Sequence, residues 1–113
     1  MFKKSNLGEL TEVIPGVHLK TTVYGEKTLM TNFRLEKGAV IPAHSHPFEQ
    51  TGYLISGQMD FLVNGEHHIA RPGDSWNFAS DLEHGATALE ESRVLEVFSP
   101  LREDYLAYFT PNP

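Results

Sequence analysis

The chain has 113 residues, a formal net charge of −6 at pH 7 and no cysteine. This length predicts one domain spanning residues 1–113 with a single core. The acidic balance argues against nucleic acid as a partner, and the lack of cysteine excludes disulfides, thiolate nucleophiles and Cys-bound zinc. No apolar run is long enough to cross a bilayer, and none follows Lys3 and Lys4, so we expect no membrane association, no signal peptide and a cytoplasmic location.

Turn signals recur at short intervals, and the runs between them are rich in β-branched and aromatic residues. This spacing predicts an all-β sandwich or barrel that begins with a strand-rich lead-in. Residues 31–35 are predicted to form a strand. In the clearest hairpin, apolar residues alternate over 59–63, and Asn64-Gly65 supplies the two positive-φ positions of a type I′ turn. Residues 104–109 could form a turn of helix or a terminal strand.

A carboxylate interrupts the last strong strand pattern, which covers residues 94–98. Glu96 and Phe98 share one face of that strand, because side chains alternate across a strand. An inward carboxylate is unusual, since a buried acid generally has a function or a partner. The alternatives are that Glu96 pairs with Arg34 or Arg102, or that it faces solvent.

Three histidines and one amide have the spacing of a metal site. His44 and His46 are two residues apart and share a strand face, Gln50 lies an even number of residues further on, and His84 comes from a distant segment. Imidazole is the commonest metal ligand, and three nitrogens plus one oxygen leave a position for water or substrate. The sequence therefore predicts one divalent ion, either Zn, Ni, Fe, Mn or Co. Glu49 is the rival for the fourth ligand, and solvated loop histidines are the alternative to a metal site.

Two motifs within residues 38–84 resemble the pair that characterises the cupins. The first consists of Gly38, His44-Ser45-His46, Gln50 and Gly57, and the second of Gly65, Pro72-Gly73-Asp74 and His84. The resemblance implies a double-stranded β-helix, the jelly-roll cupin barrel, with a barrel core at about residues 29–100. It also implies a metal inside one mouth of the barrel and a homodimer. The first motif usually ends in Glu, whereas a neutral Gln50 would leave the metal with more positive charge.

A narrower resemblance lies in HSHPFEQTGYLISG and VLEVFSPLREDYL. These segments are similar to the small pectin-degradation cupins that open unsaturated uronate rings to linear keto sugars. In that family three His and a Gln hold the metal, and an acidic residue, a Phe and an Arg lie beside it. The matching positions here are Glu96, Phe98 and Arg102, although the family more often has Asp at the first of them.

The resemblance implies a metal-dependent enzyme that acts on a small sugar acid. The metal would act as a Lewis acid, and Glu96 would move a proton between oxygen and carbon. Arg102 would bind the carboxylate through its planar fork, and Phe98 would shape the pocket. Two other functions remain open: a metal-dependent dioxygenase, and a non-catalytic module that binds a metal or small ligand. A direct pairing of Glu96 with Arg102 away from the metal would favour the module.

Overall fold

Short antiparallel strands account for most of the protein in the computed structural model, which describes residues 1–5 and 8–112. The strands are β1 (Thr11–Ile14), β2 (Val17–Tyr24), β3 (Leu29–Leu35), β4 (Val40–His44), β5 (Glu49–Ser56), β6 (Met59–Val63), β7 (Glu66–Ala70), β8 (Ser75–Phe78), β9 (His84–Ala88) and β10 (Ser92–Ser99), followed by a 3-10 helix (Glu103–Tyr108). The predicted all-β class is therefore confirmed, and the strands predicted at 31–35 and 94–98 lie inside β3 and β10.

The strands form two sheets, ordered β1-β2-β3-β10-β5-β8 and β4-β9-β6-β7. From β3 onward the chain crosses repeatedly between the sheets, and every strand pair within them is antiparallel. This is the predicted jelly roll, in which the apolar faces of two sheets enclose one core.

Strand alternation fills the space between the sheets. In β3, Phe33 and Leu35 point inward, and in β10, Val94 and Phe98 do so. The residues on the other face of each strand, Arg34 in β3 and Leu95 and Val97 in β10, are more exposed. Burying these apolar side chains is the main favourable term in folding. The inward face of β10 also carries Glu96, as predicted, so the same strand contributes both to the core and to the candidate site.

Two local predictions have clear outcomes. Asn64 and Gly65 have φ values of 48° and 82°, which are the positive values that the predicted type I′ turn requires. The 104–109 segment is mostly 3-10 helix, and Phe109 then makes a parallel bridge to Thr21, so both alternatives are partly realised. Among the described residues, no helix has the length and apolar content needed to span a membrane.

The 3-10 helix lies against one end of the barrel. The Thr21 hydroxyl donates a hydrogen bond to the carbonyl of Tyr105 at 2.5 Å. The Tyr105 ring meets the Phe98 ring edge-on, with centroids 5.4 Å apart. These contacts hold the segment that begins with Arg102 beside the inner face of β10, at the mouth of the barrel.

Candidate metal centre and active site

Strand register brings the three histidines together. His44 at the end of β4 pairs directly with His84 at the start of β9, and His46 follows two residues after β4. Their ring centroids are 4.6 Å (44–84), 4.9 Å (46–84) and 5.5 Å (44–46) apart. One ring nitrogen from each lies within 4.8 Å of the other two. This His triad could hold a metal ion.

The backbone fixes the tautomer of each ring in the triad. Each Nδ1 lies at hydrogen-bond distance from a carbonyl two residues away in the chain, and a carbonyl can only accept. Nδ1 therefore carries the proton, and Nε2 keeps its lone pair, as in histidines that bind metals through Nε2. The accepting carbonyls belong to Pro42 at 2.8 Å, Phe48 at 3.0 Å and Leu82 at 2.8 Å.

Electrostatics keep two of the rings neutral. Burial lowers the pKa of His46 and of His84, and the positive charge of Arg102 acts in the same direction. A neutral imidazole at pH 7 has a free lone pair, which is the form that binds a metal.

Gln50 completes the donor set from the opposite sheet. It is buried on the inner face of β5, and its Oε1 lies 3.0 Å from Nε2 of His46. Both atoms are acceptors when His46 is protonated at Nδ1, so a cation between them would turn a repulsive contact into two favourable ones. Glu49 is exposed instead and accepts a hydrogen bond from Asn77 at 3.0 Å. The donors present thus fit a divalent ion, with Gln50 rather than Glu49 beside the triad.

Glu96 is buried, with 4% of its surface exposed. Its Oε1 accepts a hydrogen bond from the indole Nε1 of Trp76 at 3.0 Å, and its Oε2 has no hydrogen-bond partner among the described residues. Burial raises the pKa of Glu96 to about 8, against the opposing effects of the Gln50 amide and the Trp76 indole. A carboxyl with this pKa can hold a proton at neutral pH and still exchange it.

The alternatives that paired Glu96 with an arginine, or placed it in solvent, are wrong. Arg34 donates to Glu91 at 3.2 Å on the outer side of the sheet. Arg102 donates through Nε to both oxygens of Asp104, at 3.1 and 3.2 Å. Arg34 and Arg102 thus pair with Glu91 and Asp104, and no ion pair joins Glu96 to a cation among the described side chains.

Arg102 lies in an aromatic cage at the mouth of the barrel. Its guanidinium carbon is 3.8 Å from the centroid of the Tyr105 ring, 4.9 Å from Phe98 and 5.4 Å from Phe48. The side chain is only 14% exposed, and its two Nη groups make no hydrogen bond to the described residues. A planar fork held this way suits a carboxylate from a ligand.

A cavity of about 60 Å³ lies beneath the triad, lined by His44, His84, Gln50 and Glu96 together with core side chains. It has room for a few water molecules, so a larger ligand would lie at the mouth. The sequence analysis missed the contact between Trp76 and Glu96. The only signal for it was one tryptophan in a short strand, and nothing in the sequence gave the register that joins the two residues.

Comparison with known proteins agrees with this architecture. The sequence profile of the cupin domain family matches residues 31–99. The chain therefore belongs to the cupin domain family.

Three individual proteins illustrate this similarity in sequence and structure. The pectin degradation protein KdgF of Dickeya dadantii (strain 3937) is 31% identical over 97 residues, which is 84% of this chain and 88% of that protein. The structure of KdgF from Halomonas sp. has 30% identity and a TM-score of 0.87, covering 92% of this chain and 98% of that chain. An RmlC-like cupin from Shewanella frigidimarina NCIMB 400 has the same TM-score at 24% identity, covering 92% of this chain and 94% of that one, and shows the fold alone.

Proposed function

We propose that this protein is a metal-dependent enzyme that converts 4,5-unsaturated uronates into their open-chain keto forms. The observation that carries the proposal is a buried carboxyl, Glu96, which has one oxygen without a hydrogen-bond partner and lines the same cavity as His44, His84 and Gln50. The similarity to two proteins named KdgF, one of them described as a pectin degradation protein, supports the same substrate class.

In this proposal one divalent ion is held by His44, His46, Gln50 and His84. When bound there, a divalent ion supplies Lewis-acid polarisation of a substrate oxygen, and it needs no change of redox state. The protein's own contribution is to present four donors from two sheets, three of them with their tautomers fixed by the backbone.

The remaining roles belong to three side chains. Arg102 binds the uronate carboxylate through its two free Nη groups, and Phe98 packs under Arg102 and limits the pocket. Ring opening breaks the bond between the ring oxygen and the anomeric carbon, and the proton of the anomeric hydroxyl moves to the ring oxygen, which leaves an aldehyde and an enol. Glu96 then adds its proton to the enol carbon that bears no oxygen, while the enol hydroxyl loses one proton to the resulting carboxylate. The carbon–carbon double bond becomes a carbonyl and a C–H bond, so no proton or electron is gained or lost overall.

The first prediction tests this proton transfer. Glu96→Gln keeps the shape of the side chain but cannot cycle a proton, so kcat should fall by about a hundredfold to ten-thousandfold with little change in KM. Arg102→Ala should mainly raise KM. The assay follows the loss of ultraviolet absorbance of the conjugated substrate, corrected for the spontaneous rate.

Glu66→Gln is the control, since Glu66 is an exposed carboxylate on the β6–β7 hairpin. It should retain the wild-type rate. If the metal-loaded wild-type protein does not accelerate the reaction of several unsaturated uronates over buffer, the enzyme proposal is wrong and a non-catalytic binding module is the better description.

A further inference from the structure

We infer that Trp76 is a positioning residue for the proposed reaction: its indole N–H holds Oε1 of Glu96 and so fixes the direction of the carboxyl group. The inference rests on the proposed function for its chemistry, while the hydrogen bond it depends on can be tested without any substrate.

The register of three neighbouring strands brings Trp76 and Glu96 together. Gly52 in β5 pairs with Glu96 of β10 on one side and with Trp76 of β8 on the other. A Cβ at Gly52 would lie 2.0 Å from the indole Nε1 and 2.5 Å from Oε2 of Glu96. Real Cβ atoms do not approach other atoms so closely, so Gly52 leaves the space in which the indole meets the carboxyl.

Further contacts hold both Trp76 and Glu96 in place. The Trp76 ring packs on the Phe61 ring with centroids 4.4 Å apart. The backbone carbonyl of Glu96 accepts a hydrogen bond from the hydroxyl of Thr31 on the neighbouring strand at 3.1 Å. A side chain fixed at its backbone and at one oxygen has few rotamers left, which is what preorganises a catalytic group.

The indole contact also distinguishes the two carboxyl oxygens. An indole N–H can only donate, so Oε1 of Glu96 is the acceptor in this contact. Oε2 has no hydrogen-bond partner among the described residues, and Glu96 lines the same cavity as His44, Gln50 and His84. Trp76 therefore holds one oxygen of Glu96 and leaves the other without a hydrogen bond.

The chain contains one tryptophan, so an ¹⁵N-labelled sample has one indole N–H cross peak in its NMR spectrum. We expect Glu96→Ala to move this peak strongly, because it removes the acceptor, whereas Glu66→Gln should leave it in place. If Glu96→Ala leaves the indole peak unchanged, the hydrogen bond between Trp76 and Glu96 is absent and the inference is wrong.

Turnover measurements on further variants distinguish a positioning role of the Trp76 N–H from a packing role of the Trp76 ring. Trp76→Phe keeps an aromatic ring and removes the N–H, so kcat should fall about tenfold or more while KM stays within about twofold. Gly52→Ala should shift the indole peak and lower kcat in the same way. Val17→Ala removes a buried core side chain that does not line the cavity, so it should lower the melting temperature and leave kcat within about twofold.

The outcomes are distinguishable. If the indole peak depends on Glu96 but Trp76→Phe keeps the wild-type kcat, the positioning role is wrong and the proposed function stands. If the wild-type protein has no turnover at all, the proposed function fails and the positioning role fails with it, even where the indole peak confirms the hydrogen bond.

Discussion

At the scale of single residues, the candidate metal centre depends on the Nδ1 protons of its three histidines. These protons lie on the ring nitrogen that does not face the metal position. Three backbone carbonyls hold the Nδ1 protons of the triad, so three Nε2 lone pairs are left for a common point. Removing rings should therefore remove metal affinity without removing the core of the protein.

The second prediction follows from this. The double variant His44→Ala/His46→Ala should lose most of the metal that copurifies with the wild-type protein, because two of three imidazoles are gone. The matched control is His67→Ala/His68→Ala, which removes two exposed histidines from β7. Elemental analysis of the purified proteins measures the difference, and equal metal content in both double variants would refute the site.

The fourth ligand can be tested separately. Gln50→Ala should lower the metal content further than Glu49→Ala, since Gln50 lies 3.0 Å from His46 whereas Glu49 contacts Asn77. The reverse order would make Glu49 the ligand.

The third prediction concerns pH and the metal-free protein. Burial raises the pKa of Glu96 from 4.5 to about 8. Between these two pH values the folded protein therefore keeps a proton that the unfolded chain has already released. The free energy of unfolding should therefore fall as pH rises through this window, by at most about 1.4 kcal/mol per pH unit. The lowered pKa values of His46 and His84 act in the opposite sense, but only below their unfolded value of 6.5.

Urea denaturation between pH 6.5 and 8, with a chelator present, measures the contribution of the Glu96 carboxyl to the free energy of unfolding. The wild-type protein should lose stability across this range, and Glu96→Gln should lack that slope because an amide does not titrate. Parallel slopes for the two proteins would contradict a raised pKa at Glu96.

At the scale of elements, the sequence predicted the strands whose patterns are local and strong. Residues 31–35 and 94–98 were found by alternation, and the hairpin at Asn64-Gly65 by its turn residues. Alternation also placed Glu96 on the same face as Phe98, and the burial of Glu96 shows that this face points inward. The partner of Glu96 did not follow from alternation, because the contact with Trp76 depends on how β10, β5 and β8 are aligned, and that register comes from long-range packing.

The fourth prediction tests the turn that the sequence identified. Gly65 has a φ of 82° and open space around its Cβ position, so Gly65→Ala should cost about 1 kcal/mol through backbone strain alone. Gly25 also has open space but no positive φ, so Gly25→Ala should be neutral or slightly stabilising. Urea denaturation of both variants makes the comparison. An equal loss in the two would show that the conformation at Gly65 is not the cause.

At the scale of the whole molecule, the candidate centre joins two sheets. His44 and His84 belong to the four-stranded sheet, and Gln50 to the six-stranded one. An ion bound by all of them would link the two layers in the folded state, and the unfolded chain would not offer these donors together. Metal binding and global stability should therefore be coupled.

The fifth prediction measures this coupling. At a free metal concentration of 100 times Kd, the wild-type protein should gain about 2.7 kcal/mol of unfolding free energy. Its melting temperature should therefore rise when metal replaces chelator. The variant His44→Ala/His46→Ala should show almost no rise, while His67→Ala/His68→Ala should behave like the wild type. A rise of equal size in all three would place the stabilising ion elsewhere.

Assembly into a homodimer stays a prediction, and sedimentation equilibrium checks it. Sequence patterns within one chain do not determine which outer surface meets a second copy. The jelly roll itself was accessible from the sequence because paired motifs and turn spacing agree with each other.

The size of the cavity beneath the triad has a consequence for divergence within the family. A space of about 60 Å³ holds a few waters, so a sugar acid does not fit wholly within it and would extend toward the opening. Discrimination between substrates then falls to the residues around the opening, such as Phe48, Arg102 and Tyr105. Phe48 lies in a loop and Arg102 follows β10, and neither belongs to the core cluster, whereas Tyr105 in the 3-10 helix packs against it. Substrate preference can therefore drift between relatives while the scaffold stays the same.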